Sequence, residues 1–259
     1  MLLAVDVGNT QTHFGAFRGS ELVEHWRFAT VRESTGDELG AALQSLLELR
    51  GLGFEDLTAA IVSSTVPALG EEWRRAGELY LGHEPLVVGP GMKTGMALRY
   101  DNPREIGADR LVNAVAAYER FGGACVVVDF GTAITFDPVS AQGEYLGGLI
   151  APGVEISLEA LTERAAKLPK VDLAEPRELI GKSTVEALRS GVIFGFAGLV
   201  DGILSRLRVE LGDDLQVIAT GGQAHVIVPS CSEVEEIDDL LTLTGLRLID
   251  ERNRSDADD

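Results

Sequence analysis

Asp6-Val7-Gly8-Asn9-Thr10 and Asp129-Phe130-Gly131-Thr132 place the same residue types in the same order, each directly after an apolar run (Leu2 to Val5 and Cys125 to Val128). An aspartate at the tip of a buried strand presents a carboxylate. A glycine, lacking a Cβ, lets a phosphate approach the backbone. The threonine and asparagine side chains and the turn amides then donate to phosphate oxygens. One such loop alone is equally an Asx-stabilised turn. Two of them point to related half-domains gripping one nucleotide, and so to phosphoryl transfer.

A third charged cluster runs from Asp101 to Arg110, just ahead of a helical pattern. Acids at a helix start complement its dipole, which accounts for Glu105 or Asp109 singly but not for Arg104 and Arg110 around them. Asp109 is therefore a candidate base toward a substrate hydroxyl, with Arg110 holding an anionic group. Gly221-Gly222 after a strand fits a plain turn or a flat surface for adenosine. Gly181-Lys182-Ser183 resembles the end of a P-loop, but that pattern needs glycine at 176, where Pro176 stands. Gly89 to Gly95 misses the dinucleotide spacing. His13, His25, His83 and His225 have no ligand spacing, so no zinc site is expected.

These residues need elements to hold them. Strands are expected over Leu2 to Asp6, His13 to Arg18 and Glu21 to Phe28. A helix capped by Thr35 and Glu38 should run to about Arg50. A strand at Ala59 to Ser63, a helix from Pro67 to about Tyr80 and a strand at Pro85 to Val88 follow. Loop then leads to a helix from Gly107 to Phe121. The second half repeats the order: strands at Cys125 to Asp129, Ile134 to Asp137 and Tyr145 to Ile150, a helix from Val154 to Lys167, one capped by Ser183 and Glu186 running to Leu211, and a strand at Gln216 to Thr220. The boundaries drawn are 1–118, 119–250 and a polar, fraying tail at 251–259.

The chain has 259 residues, 45% of them hydrophobic, and a formal charge of −19. The last 28 residues hold ten acids against three arginines. An acidic surface repels nucleic acid and anionic membrane. No uninterrupted apolar run reaches membrane-spanning length. Two separated cysteines, Cys125 and Cys231, indicate a reducing compartment, and the N-terminus lacks a signal-peptide pattern. A cytoplasmic location is expected.

Taken together, Asp6 to Thr10, Asp101 to Glu105, Gly107-Ala108-Asp109-Arg110, Asp129 to Thr132, Tyr145-Leu146-Gly147-Gly148, Ala151-Pro152-Gly153 and Thr220-Gly221-Gly222 resemble the type III pantothenate kinases, in that family's order and over nearly the whole chain. The resemblance implies an α/β, duplicated ribonuclease-H-like (actin-like ATPase) fold, with ATP in a cleft between two similar domains and pantothenate as acceptor. It implies that Asp6, Val7, Gly8, Asn9, Thr10, Gln11, Thr12 and His13 surround the ATP phosphates, with Thr132 a further ATP contact. It makes Asp109 the proton acceptor, and places Tyr100, Gly107, Ala108, Asp109, Arg110 and Thr184 on pantothenate. Asp129 would bind a monovalent cation, potassium or ammonium, and Mg²⁺ would accompany ATP. A homodimer is implied, with Thr184 contributed within its own subunit or across to the other. Gln11, Ile134 and Ser183 depart from residues frequent in the family, yet every motif carboxylate and glycine is present. The rival readings are another small-molecule kinase of the superfamily, separable by substrate screening, and a non-catalytic accessory of transcription, which the lack of a basic patch disfavours.

Overall fold

The computed structural model describes residues 1–165 and 167–254. The chain divides into two α/β units, one of residues 1–96, 100–116 and 240–259, the other of 97–99 and 117–239.

In the first unit, β1 (Leu2–Val7), β2 (Gln11–Arg18) and β3 (Glu21–Ala29) form an antiparallel meander. Gly19, at φ +60, makes the β2–β3 turn that only glycine adopts without strain. Helix α1 (Gly36–Glu48) begins with the expected capping box, the Thr35 hydroxyl taking the Glu38 N–H and the Glu38 carboxylate taking the Thr35 N–H. β4 (Ala59–Ser64), α2 (Pro67–Ala76) and β5 (Leu86–Val87) follow, and β4 lies parallel to both β1 and β5. The sheet order is β3-β2-β1-β4-β5. After α2 the chain takes a wider turn, Gly77–Leu81, instead of continuing as α-helix to Tyr80.

Apart from Asp6 near its end, β1 is apolar because both its faces are covered. Leu3, Val5 and Val7 pack against Leu39, Leu43 and Leu47 of α1 and Leu69 and Trp73 of α2. Ala4, on the other face, packs with Val112 and Val115 of α3 (Ala108–Phe121).

The second unit opens with β6 (Ala97–Leu98), a strand inside the stretch expected as loop. β7 (Cys125–Phe130) pairs antiparallel with β8 (Ala133–Val139). The strand expected over Tyr145 to Ile150 is interrupted: β9 (Glu144–Tyr145) and β10 (Leu149–Pro152) both pair with β8, and Gly147 at φ +101 breaks the run between them. α4 (Val154–Arg164) stops short of Lys167. α5 (Thr184–Leu211) is 28 residues long and apolar enough to cross a membrane by length and composition, although charged residues interrupt its apolar run. Here Ile193, Ala197, Val200 and Leu204 of α5 instead fill a core with Val126, Val128 and Phe130 of β7.

β11 (Gln216–Thr220), α6 (Ala224–Ile227) and β12 (Glu236–Ile237) complete this unit. Counting β10 beside β8, its strands run β10-β8-β7-β11-β12, with the same parallel and antiparallel pairings as β3-β2-β1-β4-β5. The duplication seen in two short motifs thus extends to the entire sheet topology. The chain ends in α7 (Leu241–Arg254), whose Leu243, Leu246 and Ile249 join the core holding Ala4 and Val112. Residues 251–254 are therefore helical and not a frayed tail, and the rest of that tail lies outside the described residues.

Candidate active site

Equivalent strands carry the two loop aspartates. Asp6 stands opposite His13 on β2 and Ser63 on β4, while Asp129 stands opposite Thr135 on β8 and Thr220 on β11. Each is the next-to-last residue of the central strand of its sheet, where the duplication argument requires it.

In the first loop, the Gly8 N–H donates to the Gln11 carbonyl at 3.0 Å, and a Cβ on Gly8 would lie 2.8 Å from that oxygen. Only a glycine closes the turn so tightly. The loop is pinned from outside by residues that the sequence reading missed. The Thr30 hydroxyl donates to the Gly8 carbonyl at 2.8 Å, and the buried Thr12 hydroxyl lies 2.9 Å from that of Thr30. The Thr65 N–H and hydroxyl reach the Val7 carbonyl at 2.9 and 3.1 Å. Asn9, Thr10 and Gln11 stay exposed, so the pinned loop turns its polar groups to solvent. Arg32, also unforeseen, donates to Asn9 Oδ1 at 3.2 Å.

Period-two alternation puts Asp6 on the same sheet face as Ala4. Ala108 and Val112 of α3 pack on that face, so Asp6 and the start of α3 occupy one side of the first sheet. Asp109 lies in the first turn of α3 and is half-buried, with its Oδ1 2.9 Å from the Arg110 N–H. Burial raises its carboxyl above the ordinary range, against the lowering by the Arg110 N–H and charge. A carboxylate raised in this way is a stronger proton acceptor than a solvated one. Gly107 makes room for it, because a Cβ there would lie 2.5 Å from Asp109 Oδ1. Arg110 is 8% exposed, and Tyr100 is half-buried. Asp6 to His13, Tyr100 and Gly107 to Arg110 thus belong to the first unit.

Asp129, Thr132 and Thr184 belong to the second unit. The turn after β7 is crowded by three glycines from separate motifs. Gly131 donates its N–H to the Ala133 carbonyl at 3.1 Å. A Cβ on Gly153 would collide with the Thr132 carbonyl and lie 2.7 Å from that of Gly131. A Cβ on Gly221 would collide with Asp129 Oδ1. Gly153 and Gly221 therefore shape the Asp129–Thr132 turn. Thr132 itself is exposed.

A further carboxylate escaped the sequence reading. Asp137 is fully buried, and it accepts from the hydroxyls of Tyr145 and Thr135, both at 2.8 Å. Thr135 is the residue opposite Asp129, so this polar cluster lies under the second loop.

Thr184 is exposed at the first position of α5. Ser183 caps the helix by accepting the Glu186 N–H at 3.2 Å. The Glu186 carboxylate takes the Arg177 N–H, which holds its pKa below the ordinary value. Gly181 packs its backbone against Ala187, so the Gly181-Lys182-Ser183 run forms a helix entry. Among the described residues no three His, Cys, Asp or Glu side chains gather as a metal site.

A family profile for type III pantothenate kinase matches residues 2–206. The type III pantothenate kinase of Moorella thermoacetica is 51% identical over 253 residues, covering 98% of this chain and 100% of that protein. That of Streptomyces avermitilis is 52% identical over 263 residues, covering 98% and 99%. Among solved structures, a conserved putative Baf family transcriptional activator from Campylobacter jejuni superposes with a TM-score of 0.58 at 19% identity, over 98% of this chain and 99% of that one. At that identity the likeness is one of fold.

Proposed function

The chain belongs to the type III pantothenate kinase family, and we propose that its reaction is the ATP-dependent phosphorylation of pantothenate to 4'-phosphopantothenate, the first step of coenzyme A biosynthesis. The observation that supports the chemistry best is Asp109, a half-buried carboxylate with a raised pKa, on the same sheet side as the Asp6 loop.

Phosphoryl transfer passes through a loose transition state, so the protein's work is positioning and charge stabilisation. The pinned loop Asp6-Val7-Gly8-Asn9-Thr10-Gln11-Thr12-His13 offers N–H and hydroxyl donors for the ATP phosphates, with Thr132 as a further contact. Mg²⁺ bound with ATP supplies charge neutralisation, and Asp6 is the carboxylate suited to it. Tyr100, Gly107, Ala108 and Arg110 bind pantothenate, Arg110 holding its carboxylate. Asp109 accepts the proton of the primary hydroxyl as the new P–O bond forms, while the bond from the γ-phosphorus to the β,γ-bridging oxygen breaks and ADP leaves with that electron pair.

Asp129, with the carbonyls of Gly131 and Thr132 drawn together by Gly153, forms a set of hard oxygen donors. Such donors suit potassium or ammonium rather than a soft transition metal, and a cation there offsets carboxylate charge near bound ATP. A homodimer is supported by a groove of about 410 Å³ on α4 and α5, lined by Leu158, Leu161, Val192, Phe196 and Leu199. Thr184 sits at the N-terminal end of the same helix, where a second subunit seated on α5 would bring it near a partner. Both thiols are free, and Cys125 and Cys231 are each pushed up to about 12 by burial, which fits a cytoplasmic enzyme with no cysteine chemistry.

The test is a coupled assay with ATP, Mg²⁺ and pantothenate, run in potassium, ammonium or sodium, with glucose and N-acetylglucosamine as control acceptors. Turnover of pantothenate alone, and only in potassium or ammonium, is expected. Turnover of a sugar without pantothenate turnover refutes the acceptor, and equal rates in sodium refute the cation role.

A further inference from the structure

The C-terminal helix grips the acceptor-binding segment at both of its ends. At the start of α7, the Thr242 hydroxyl donates to Asn113 Oδ1 at 2.7 Å. Asn113 is 1% exposed and lies one helical turn after Asp109, on the same face of α3. One turn further along α7, Gly245 lets the helices touch backbone to backbone. A Cβ there would collide with the Val112 carbonyl and lie 2.8 Å from Val112 Cγ1.

At the other end of α7, Asn253 closes a two-point amide pair with the backbone of Lys93. Its Oδ1 accepts the Lys93 N–H at 3.2 Å, and its Nδ2 donates to the Lys93 carbonyl at 2.9 Å. Arg252 beside it donates to the Thr94 carbonyl. Met92 and Met96 of this loop, Ala108 and the apolar side of α7 share one core. The anchored points, 93–94 and 112–113, bracket Tyr100 and Gly107 to Arg110. Those are the residues assigned to pantothenate above, and this step rests on that assignment.

We propose that α7 is a clamp that sets the geometry of the pantothenate-binding segment, with Thr242 and Asn253 as positioning residues for the phosphorylation. The hydrogen bonds that pin the ATP loop come from other residues, Thr30 and Thr65, so the Thr242 and Asn253 side chains act on the acceptor segment, although α7 also packs on Ala4 of the strand that leads into the ATP loop.

Thr242→Val keeps the side-chain shape and removes the donor. Asn253→Ala removes the amide pair at a half-buried position. Each is expected to raise the KM for pantothenate or lower kcat by roughly 3- to 10-fold, the factor that one lost hydrogen bond gives, with the KM for ATP within about twofold of wild type. Thr242→Ser should restore wild-type constants. Amide hydrogen exchange of peptides covering 99–111 should quicken in Asn253→Ala, a readout independent of which acceptor the enzyme takes. Unchanged pantothenate constants together with unchanged exchange overturn the clamp. A parallel rise in both KM values with a lowered melting midpoint also overturns it, because that is general loosening of the unit. No pantothenate turnover by the wild type, with faster exchange in the variant, would sink the acceptor assignment while leaving the clamp standing.

Discussion

Gly221 exists to leave room for Asp129: its φ is +93, and a Cβ there would collide with Asp129 Oδ1 and sit 2.7 Å from the Phe130 backbone. The two residues lie on parallel neighbouring strands or their tips, joined by the register that pairs Thr220 with Asp129. A glycine in one motif is thus explained by an acid in another. Gly222, its neighbour, has open space where a Cβ would go.

Gly221→Ala should therefore displace the Asp129 turn, cost about 1–3 kcal/mol of stability through backbone strain and collision, and weaken ATP binding. Gly222→Ala should leave stability and turnover near wild type. Chemical denaturation and calorimetric titration of ATP into both variants check the contrast. Equal loss in the two would mean that the collision with Asp129 is not what selects glycine at 221.

Asp109→Asn should lower kcat by roughly 10²–10⁴-fold, the range for loss of a general base, while the folded protein becomes more stable at neutral pH. The sign follows from the raised pKa. As pH climbs past the ordinary 3.8, the unfolded chain ionises first, and the native state is progressively penalised until its own, higher pKa is passed. Asparagine titrates in neither state and escapes the penalty. Urea midpoints at pH 7 should favour the variant, with the advantage shrinking as pH is lowered toward 3.8. A variant less stable than wild type at pH 7 would mean that the carboxylate gains more from Arg110 than burial takes away.

The sequence made the paired aspartate-glycine loops, Asp109 and most elements of both units legible, because strand tips and caps are local patterns. What it hid was set by tertiary contact. Thr30 and Thr65 look like any loop threonines, and only the fold brings them to Gly8 and Val7. Asp137 sits in a strand where an acid reads as solvent-facing, yet two hydroxyls satisfy it inside the unit. Helix α7 is hard to see in the sequence because Leu241-Thr242-Leu243-Thr244 alternates with period two, a strand-like signal, before its helical spacing becomes clear. The break at Gly147 was equally invisible, since a glycine inside a strand pattern marks either a bulge or a mere weak point.

Tyr145→Phe should destabilise the protein by about 1–3 kcal/mol, because it strips one donor from a carboxylate that is fully buried. Thr135→Val removes the other donor and should cost a similar amount. The double variant should lose less than the sum, since both hydroxyls serve one carboxylate and residues in one hydrogen-bond network couple. Denaturant melts of the three variants at pH 7 measure the coupling. Strict additivity would mean that the two hydroxyls act on Asp137 independently.

Leu161→Glu and Phe196→Glu, each placing a charge in the α4–α5 groove, should convert the proposed dimer to monomer in sedimentation velocity, without altering the far-ultraviolet circular dichroism. Burying one unpaired carboxylate in an apolar interface costs more than most interfaces of modest size can offset. If Thr184 acts across that interface, the monomer should also lose pantothenate turnover while still binding ATP. If Thr184 serves its own subunit, the monomer should retain turnover. A dimer that survives both substitutions would move the interface off α5 altogether.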